Sequence, residues 1–417
     1  MFDIFKGHSR LTLFATILII FYGIYYMPID SFGMNAPIKM ALMISSIVVL
    51  CLYSFKASKA VIIGIIYLLY QYVVASYHPE SFRWSTYIYS ILLVLTYVSF
   101  YNLVFIEKVF KIEHFIRICK WFITLYFVVC IIQQVVTLAG IGYLPILNMM
   151  KNLDRGLGCQ SLSMEPSTFG RFMLVFYYAY IKCNEYKRDE GPFTIGELFS
   201  GEHRKISLMF LWMMLTMGSG TAFVCLILFS FYFVRWHNWY YIVPILVVGY
   251  LLIQASGFEQ LDRATATIEA TATLDKDVVR ETDGSASVRI TPLLNTLSAD
   301  YTKTETWLGY GIDAGIGDKD NRTSFHDYGF LLYIITILFN FSCAYSFWSL
   351  GTIFLYAGVS GGAGKNIQYL WALMMVMTCV KYFYKNRYNP EIYEEEINEE
   401  EINEEETSTQ LATEEKL

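Results

Sequence analysis

Charge is scarce in this sequence. Asp, Glu, Lys and Arg make up 16% of its 417 residues, whereas a soluble globular chain carries about 25%. A water-soluble domain of ordinary composition is therefore not what this chain encodes. Sustained alternation of apolar and polar residues is also missing, and with it the signature of a membrane-spanning β-barrel. The eight Cys show no zinc or disulfide-framework spacing. All but Cys159 and Cys183 fall inside apolar stretches, where a thiol acts as a small apolar filler. No internal repeat relates one half of the chain to the other, which speaks against the usual architecture of a transporter.

What is present is apolar. Hydrophobic residues make up 55% and aromatic residues 17%, with a mean hydropathy of +0.41. Apolar segments recur at 11–28, 38–55, 60–77, 86–106, 117–139, 168–181, 206–217, 221–235, 240–256, 327–341, 343–358 and 367–384. Runs of about 18 or more such residues suit a bilayer-spanning helix. The expected fold is all-α, a polytopic transmembrane helix bundle of about 11–12 helices. Lys6 and Arg10 precede the first run without a trusted cleavage site, so it reads as a first helix and not a removed signal.

Basic residues set the expected orientation. Lys56 and Lys59, Lys108 to Lys120, and the cluster Lys182, Lys187, Arg188, Arg204 and Lys205 mark connections that should be cytoplasmic. Residues 206–235 as one helix would be about 45 Å long, against a hydrocarbon core of about 30 Å. The stretch Met217-Gly218-Ser219-Gly220-Thr221 is expected to break it into two short helices hinged beside a cavity. Alternation from the cytoplasmic N-terminus places 140–167 on the periplasmic side, and the hinge places the large loop 257–326 there as well. Two helices meeting near Asn340–Cys343 are the weak point, since 327–337 lying flat in the interface would change the count. Residues 391–417 hold 12 Glu and one Lys, a charge of −11, which leaves the preceding 390 residues at +5 against a total of −6. The chain thus divides into a membrane domain, 1–390, and an acidic tail, 391–417, expected to be disordered and cytoplasmic, with no function read into it.

Two outer segments hold nearly all the unexplained polar residues. One runs from Asp154-Arg155-Gly156 to Glu165-Pro166-Ser167-Thr168-Phe169-Gly170. The other contains Arg280, Ser285-Ala286-Ser287-Val288-Arg289, Leu308-Gly309-Tyr310-Gly311 and His326-Asp327. In this order, with the Gly-Ser-Gly-Thr turn between them, they resemble the bacterial O-antigen polymerase and O-antigen ligase families, over 155 to about 341. Arg289 with Leu293 matches an Arg-x-x-x-Leu element of the ligases. Ile337 stands where their glycine follows the histidine, so the polymerases are the closer resemblance.

The resemblance implies a metal-independent inverting glycosyltransferase of the inner membrane, with no cofactor and no nucleic-acid partner. It would transfer an undecaprenyl-diphosphate-linked oligosaccharide to a new lipid-linked repeat unit at the periplasmic face, among membrane lipids and with a chain-length regulator protein as a candidate partner. Cationic side chains must then hold the leaving diphosphate. Arg155 and Arg289, with Arg280 behind them, are the candidates, because guanidinium binds phosphate oxygens bidentately. His326 is the candidate base and Glu165 its rival. No acidic cluster is read as a Mg²⁺ or Mn²⁺ site. Asp313, Asp318 and Asp320 sit among glycines.

Each candidate also has a plain structural reading. Loop arginines are commonly solvated or bound to headgroups. His326 could be an interfacial residue, and Glu165 could serve the N-terminus of a helix, whose dipole and free N–H groups favour a carboxylate. Arg171, within an apolar helix, must be paired or face water. The competing functions are an O-antigen ligase and a lipid-linked oligosaccharide flippase.

Overall fold

The computed structural model describes residues 3–5, 8–24, 35–53, 55–140, 158–163, 165–188, 191–233, 294–312, 324–344 and 368–393, with isolated pieces between 240 and 282 and residue 314. The described residues form helices and turns, with no strand among them. The first five apolar runs become α1 (Arg10–Gly23), α2 (Asn35–Tyr53), α3 (Lys59–Tyr77), α4 (Trp84–Phe105) and α5 (Ile112–Leu138). Ser9 and Ser58 start α1 and α3 by accepting the N–H groups of Thr12 and Val61, as N-cap hydroxyls do.

α3, α4 and α5 are long and apolar enough to cross a membrane, and α1 and most of α2 form shorter apolar helices. The exposed faces agree with this. Met40, Ile44, Val48 and Leu52 form a stripe on α2, and Ile62, Ile65, Ile66, Leu69 and Val73 form one on α3. Stripes of this length are unfavourable in water and natural against lipid. The chain is a membrane protein.

Next come α6 (Pro166–Arg188), α7 (Ile195–Leu198), α8 (His203–Thr216) and α9 (Gly220–Ser230). Residues 206–235 are therefore not one helix. The chain turns at Met217–Ser219, with Gly218 at φ +69°. The N–H of Phe193 donates to the Tyr232 hydroxyl (3.0 Å), so the chain beyond α9 returns to the end where α8 began. α10 (Lys276–Thr282), α11 (Thr304–Leu308), α12 (Ser324–Asn340) and α13 (Gln368–Asn386) complete the described helices. The apolar segment 343–358 and most of 240–256 lie outside the described residues.

α12 runs antiparallel to α3. Tyr328 near its start meets Gln71 (3.1 Å), and Phe339 near its end stacks on Tyr67 at 5.6 Å. Residues 327–337 thus lie along the bundle and not across it. α6 and α13 pack together at the centre, and α6 is buried without interruption from Ser167 to Ile181.

The basic connections gather at one end. Asn102 donates to the carbonyl of Lys56 (3.1 Å), Lys187 lies 3.4 Å from Glu113, Lys120 lies 3.9 Å from Glu202, and Lys108 lies 2.7 Å from Glu391. On that end Arg188 pairs with Glu197 (3.1 Å), and Thr194 and Glu197 cap α7 reciprocally. These bonds hold the Glu197 carboxyl down at about 2, with the Thr194 backbone and hydroxyl contributing most and Arg188 adding to them. The described chain continues past residue 390 into a 3₁₀ turn, Pro390–Ile392, whose Ile392 is 1% exposed. Residues 78–83, 309–311 and 324–329 meet at the opposite end, where Ser81 donates to the Tyr310 carbonyl (3.3 Å).

Candidate functional site

Two motifs that are distant in sequence close onto one another at this second end. α11 ends at Leu308 with Gly309 as its cap, and the residues that follow bond to the first turn of α12. Tyr310 N–H donates to the His326 carbonyl (2.9 Å) and Gly311 N–H to the Asp327 carbonyl (3.0 Å). The approach requires glycine twice. Gly309 has φ +73°, ψ −170°, and Gly329 has φ +72°, ψ −179°, a region essentially reserved for glycine. A Cβ on Gly309 would lie 2.5 Å from the Asp327 carbonyl oxygen, and one on Gly329 would lie 2.3 Å from that of Trp307. The kink at Gly329 sets Ser324–Tyr328 apart from the rest of α12 and carries His326 to the mouth of the helix.

The His326 ring stacks on Tyr310, centroids 4.5 Å apart and planes 19° apart. Its Nδ1 lies 3.4 Å from a carboxylate oxygen of Asp327, which is 3% exposed. A carboxylate at Nδ1 favours the tautomer that carries its proton there and leaves the lone pair on Nε2. The His326 side chain keeps 20% of its surface exposed. Beside it Tyr301, Trp307 and Phe330 form an edge-to-face trio at 5.3–5.7 Å, and Trp307 donates to the Tyr301 carbonyl (2.9 Å). Tyr301, Trp307 and Tyr310 are exposed. On the other flank stand His78, Glu80 and Ser81, the first two 3.6 Å apart.

Glu165 belongs to a different cluster, at the start of α6 beside residues 158–163, and is half-buried. Residues 158–163 are irregular backbone that dips beside α5. The Gln133 amide holds Ser161 at both ends, accepting its N–H (2.8 Å) and donating to its carbonyl (3.0 Å). The Ser161 hydroxyl donates to the Tyr126 carbonyl (2.8 Å), and the Tyr126 hydroxyl donates to the Gly23 carbonyl (2.6 Å). Tyr126 lies twelve residues before the end of α5, a depth of about 18 Å at 1.5 Å per residue. Irregular backbone survives there only because protein groups satisfy its polar atoms.

The hinge between α8 and α9 closes the same pocket of polarity: Cys159 N–H donates to the Met217 carbonyl (3.3 Å), and Gln134 bridges Thr216 (2.7 Å) and Trp212 (3.1 Å). Cys130 and Cys159 face each other with their sulfurs 3.0 Å apart. Glu165 itself precedes α6. Its carbonyl takes the N–H groups of Thr168 (3.1 Å) and Phe169 (3.0 Å), and its carboxylate accepts the Ser167 hydroxyl. The two carbonyl bonds are the first backbone bonds of α6, and the carboxylate is engaged by a side chain of its first turn. Arg171, one turn on, is 2% exposed, so its charge is enclosed by protein and kept off lipid.

The candidates do not all converge. His326 and Glu165 stand in separate clusters. Arg155 and Arg289 lie outside the described residues, as do Asp313, Asp318 and Asp320. Arg280 falls on α10, and its side chain lies outside the described residues. Residues 275–277 and 318–320 are both Asp-Lys-Asp, a triplet that carries metal in many nucleotide-sugar transferases and that the sequence reading passed over. In the first, the Asp275 carboxylate accepts the Asp277 N–H (2.9 Å) at the start of α10. Tyr310 was named in its motif but given no role, and the buried position of Asp327 and the 78–81 connection were missed. The Tyr between two glycines was the one available signal.

No family model, no curated protein and no solved structure matches this chain.

Proposed function

We propose that this membrane protein is an O-antigen, or other repeat-unit polysaccharide, polymerase. The observation that carries the reading is the His326–Asp327 pair, seated on Tyr310 at the end of the bundle away from the basic connections. By the positive-inside rule that end faces the periplasm of the inner membrane. A sugar hydroxyl placed at Nε2 of His326 gives up its proton there, and its oxygen bonds to the anomeric carbon of the donor glycan. The bond from that carbon to the diphosphate breaks, and undecaprenyl diphosphate leaves. Arg155 and Arg289, with Arg280 behind them, hold the developing charge on the diphosphate. Tyr301, Trp307 and Tyr310 offer flat apolar faces with polar edges, a shape suited to sugar rings.

Deletion of the gene, followed by gel analysis of lipopolysaccharide, tests the reading. A polymerase leaves core carrying a single repeat, and the ladder is lost. Bare core would assign the protein to ligation or to an earlier step, and an unchanged ladder would end the proposal. Complementation with Arg155→Ala or Arg289→Ala should fail to restore the ladder, since each removes a charge-assisted contact of roughly 1.5–3 kcal/mol. Lysine at either position should restore it only in part.

The Asp-Lys-Asp triplets make chelation the second test. In this reading Asp275 caps a helix and arginine supplies the positive charge. Purified protein with lipid-diphosphate repeat units should therefore polymerise at an unchanged rate in EDTA. Loss with chelator and return with Mg²⁺ would transfer the diphosphate to a metal and make Asp275 and Asp277 the first residues to replace.

A further inference from the structure

At the basic end lies a cavity of about 320 Å³ that the proposed reaction leaves unused, walled by Lys182, Lys187, Arg387, Tyr186, Tyr384 and Tyr393. Three cations line it, of which Lys182 is bound to Glu185, itself held by the Phe193 N–H (3.3 Å), and Lys187 lies 3.4 Å from Glu113, so among the described residues Arg387 is the cation that faces no carboxylate. Arg387 spends its described contacts on neutral groups. It donates to the Tyr384 carbonyl (3.2 Å) and lies between the rings of Tyr384 (4.5 Å) and Tyr388 (4.7 Å). Such a site selects an anion.

The chain delivers an anion to its rim. Residues 389–393 are pinned on this end. Glu391 pairs with Lys108 at 2.7 Å, its carbonyl accepts Lys111, and the Tyr393 hydroxyl contacts the carbonyls of Tyr186 (3.0 Å) and Arg387 (2.8 Å). Tyr393 is thus a wall of the cavity, and the next residues are Glu394, Glu395 and Glu396. Residues 394–417 contain eleven Glu and one Lys. An extended chain advances about 3.3 Å per residue, so the chain length alone limits the α-carbons of these three residues to ~10 Å from that of Tyr393. A tether that short gives an effective concentration on the order of millimolar.

We propose that the Glu394–Glu396 cluster docks in the Lys182–Lys187–Arg387 cavity, so that the acidic tail occupies a site which would otherwise take a phosphate group. The tail is then an internal competitor for anionic ligands at this end of the bundle. The inference stands apart from the polymerase reading and would survive its failure.

Cysteine cross-linking in the full chain tests it. Tyr388→Cys lines the cavity, and Ile397→Cys follows the carboxylates without removing one. The exposed Cys51 is changed to Ser in the same chain. Oxidation should join positions 388 and 397 at low salt. The yield should fall at least about fivefold at 1 M salt, where screening acts within ~3 Å, and should fall equally when Glu394, Glu395 and Glu396 are all changed to Gln. A yield indifferent to salt and to the Gln changes would reflect the tether alone and overturn the proposal. So would an absent cross-link at low salt. As a second measurement, a chain ending at Tyr393 should bind phosphatidylglycerol micelles more tightly than the full chain, and Arg387→Glu should abolish the difference. Equal binding by the two chains would assign the cavity to lipid regardless of the tail, and would overturn it as well.

Discussion

Replacing His326 by alanine should leave a folded, inserted protein that makes little or no polymer, a loss of about 10²–10⁴ in rate for a general base. The ring is where a base should be: at the mouth of a kinked helix, partly exposed, with its Nδ1 toward a buried carboxylate. The 3.4 Å separation is long for a hydrogen bond, as catalytic contacts often are before substrate draws them in. His326→Phe separates chemistry from packing, because a phenyl ring keeps the stack on Tyr310 and loses the proton acceptor. It should be as inactive as alanine and no less stable. Asp327→Asn probes the positioning role. An amide can donate to Nδ1, which favours the tautomer with a proton on Nε2, and breaking a carboxylate–imidazole pair in this way costs about 10⁴ elsewhere. Glu165→Gln is the control. Its carboxylate serves Ser167 and the start of α6, so the ladder should persist. If Glu165→Gln is dead and His326→Phe active, the base is Glu165 and His326 is an interfacial residue.

Gly329→Ala should be as damaging as loss of the histidine, for a reason that has nothing to do with protons. At φ +72°, ψ −179° any side chain is strained, by about 1–3 kcal/mol. In addition the new methyl would meet the Trp307 carbonyl at 2.3 Å and the Gly309 N–H at 2.5 Å, both backbone atoms that cannot swing aside. The turn must then separate from α12, which breaks the bonds from Tyr310 and Gly311 and removes the platform under His326. Gly309→Ala should do the same from the other side. Gly191→Ala is the matched comparison: its φ is +81°, yet nothing lies within 4 Å of the added carbon. The readouts are ladder formation and the melting temperature in detergent. Gly329→Ala with wild-type polymer and melting would show that the two turns need not touch, and would remove the main structural support for the site.

Much of the helical layout was legible because it follows from local rules. The apolar runs and the break at Met217–Thr221 each depend on a few adjacent residues and on the length a bilayer demands. The site was legible only in fragments. Leu308-Gly309-Tyr310-Gly311 and His326-Asp327 could be named, but nothing local shows that one packs on the other or that Asp327 is buried. Glu165 had two readings, a base or a helix-starting carboxylate; its carboxylate accepts the Ser167 hydroxyl in the first turn of α6, and the Glu165→Gln variant decides between them.

The sequence by itself determined that this chain builds apolar helices, where they break, and which connections carry the positive charge, because composition and periodicity set the cost of each segment in lipid or water. The tertiary structure alone decided that Gln133 satisfies a buried irregular segment around Ser161, that α6 and α13 hold the centre, and that His326 rests on Tyr310 beside Asp327. The reason is the range of the interactions. A glutamine in an apolar helix costs the same in sequence whether its amide meets lipid or the backbone of residue 161, and only the packing of distant segments distinguishes the two.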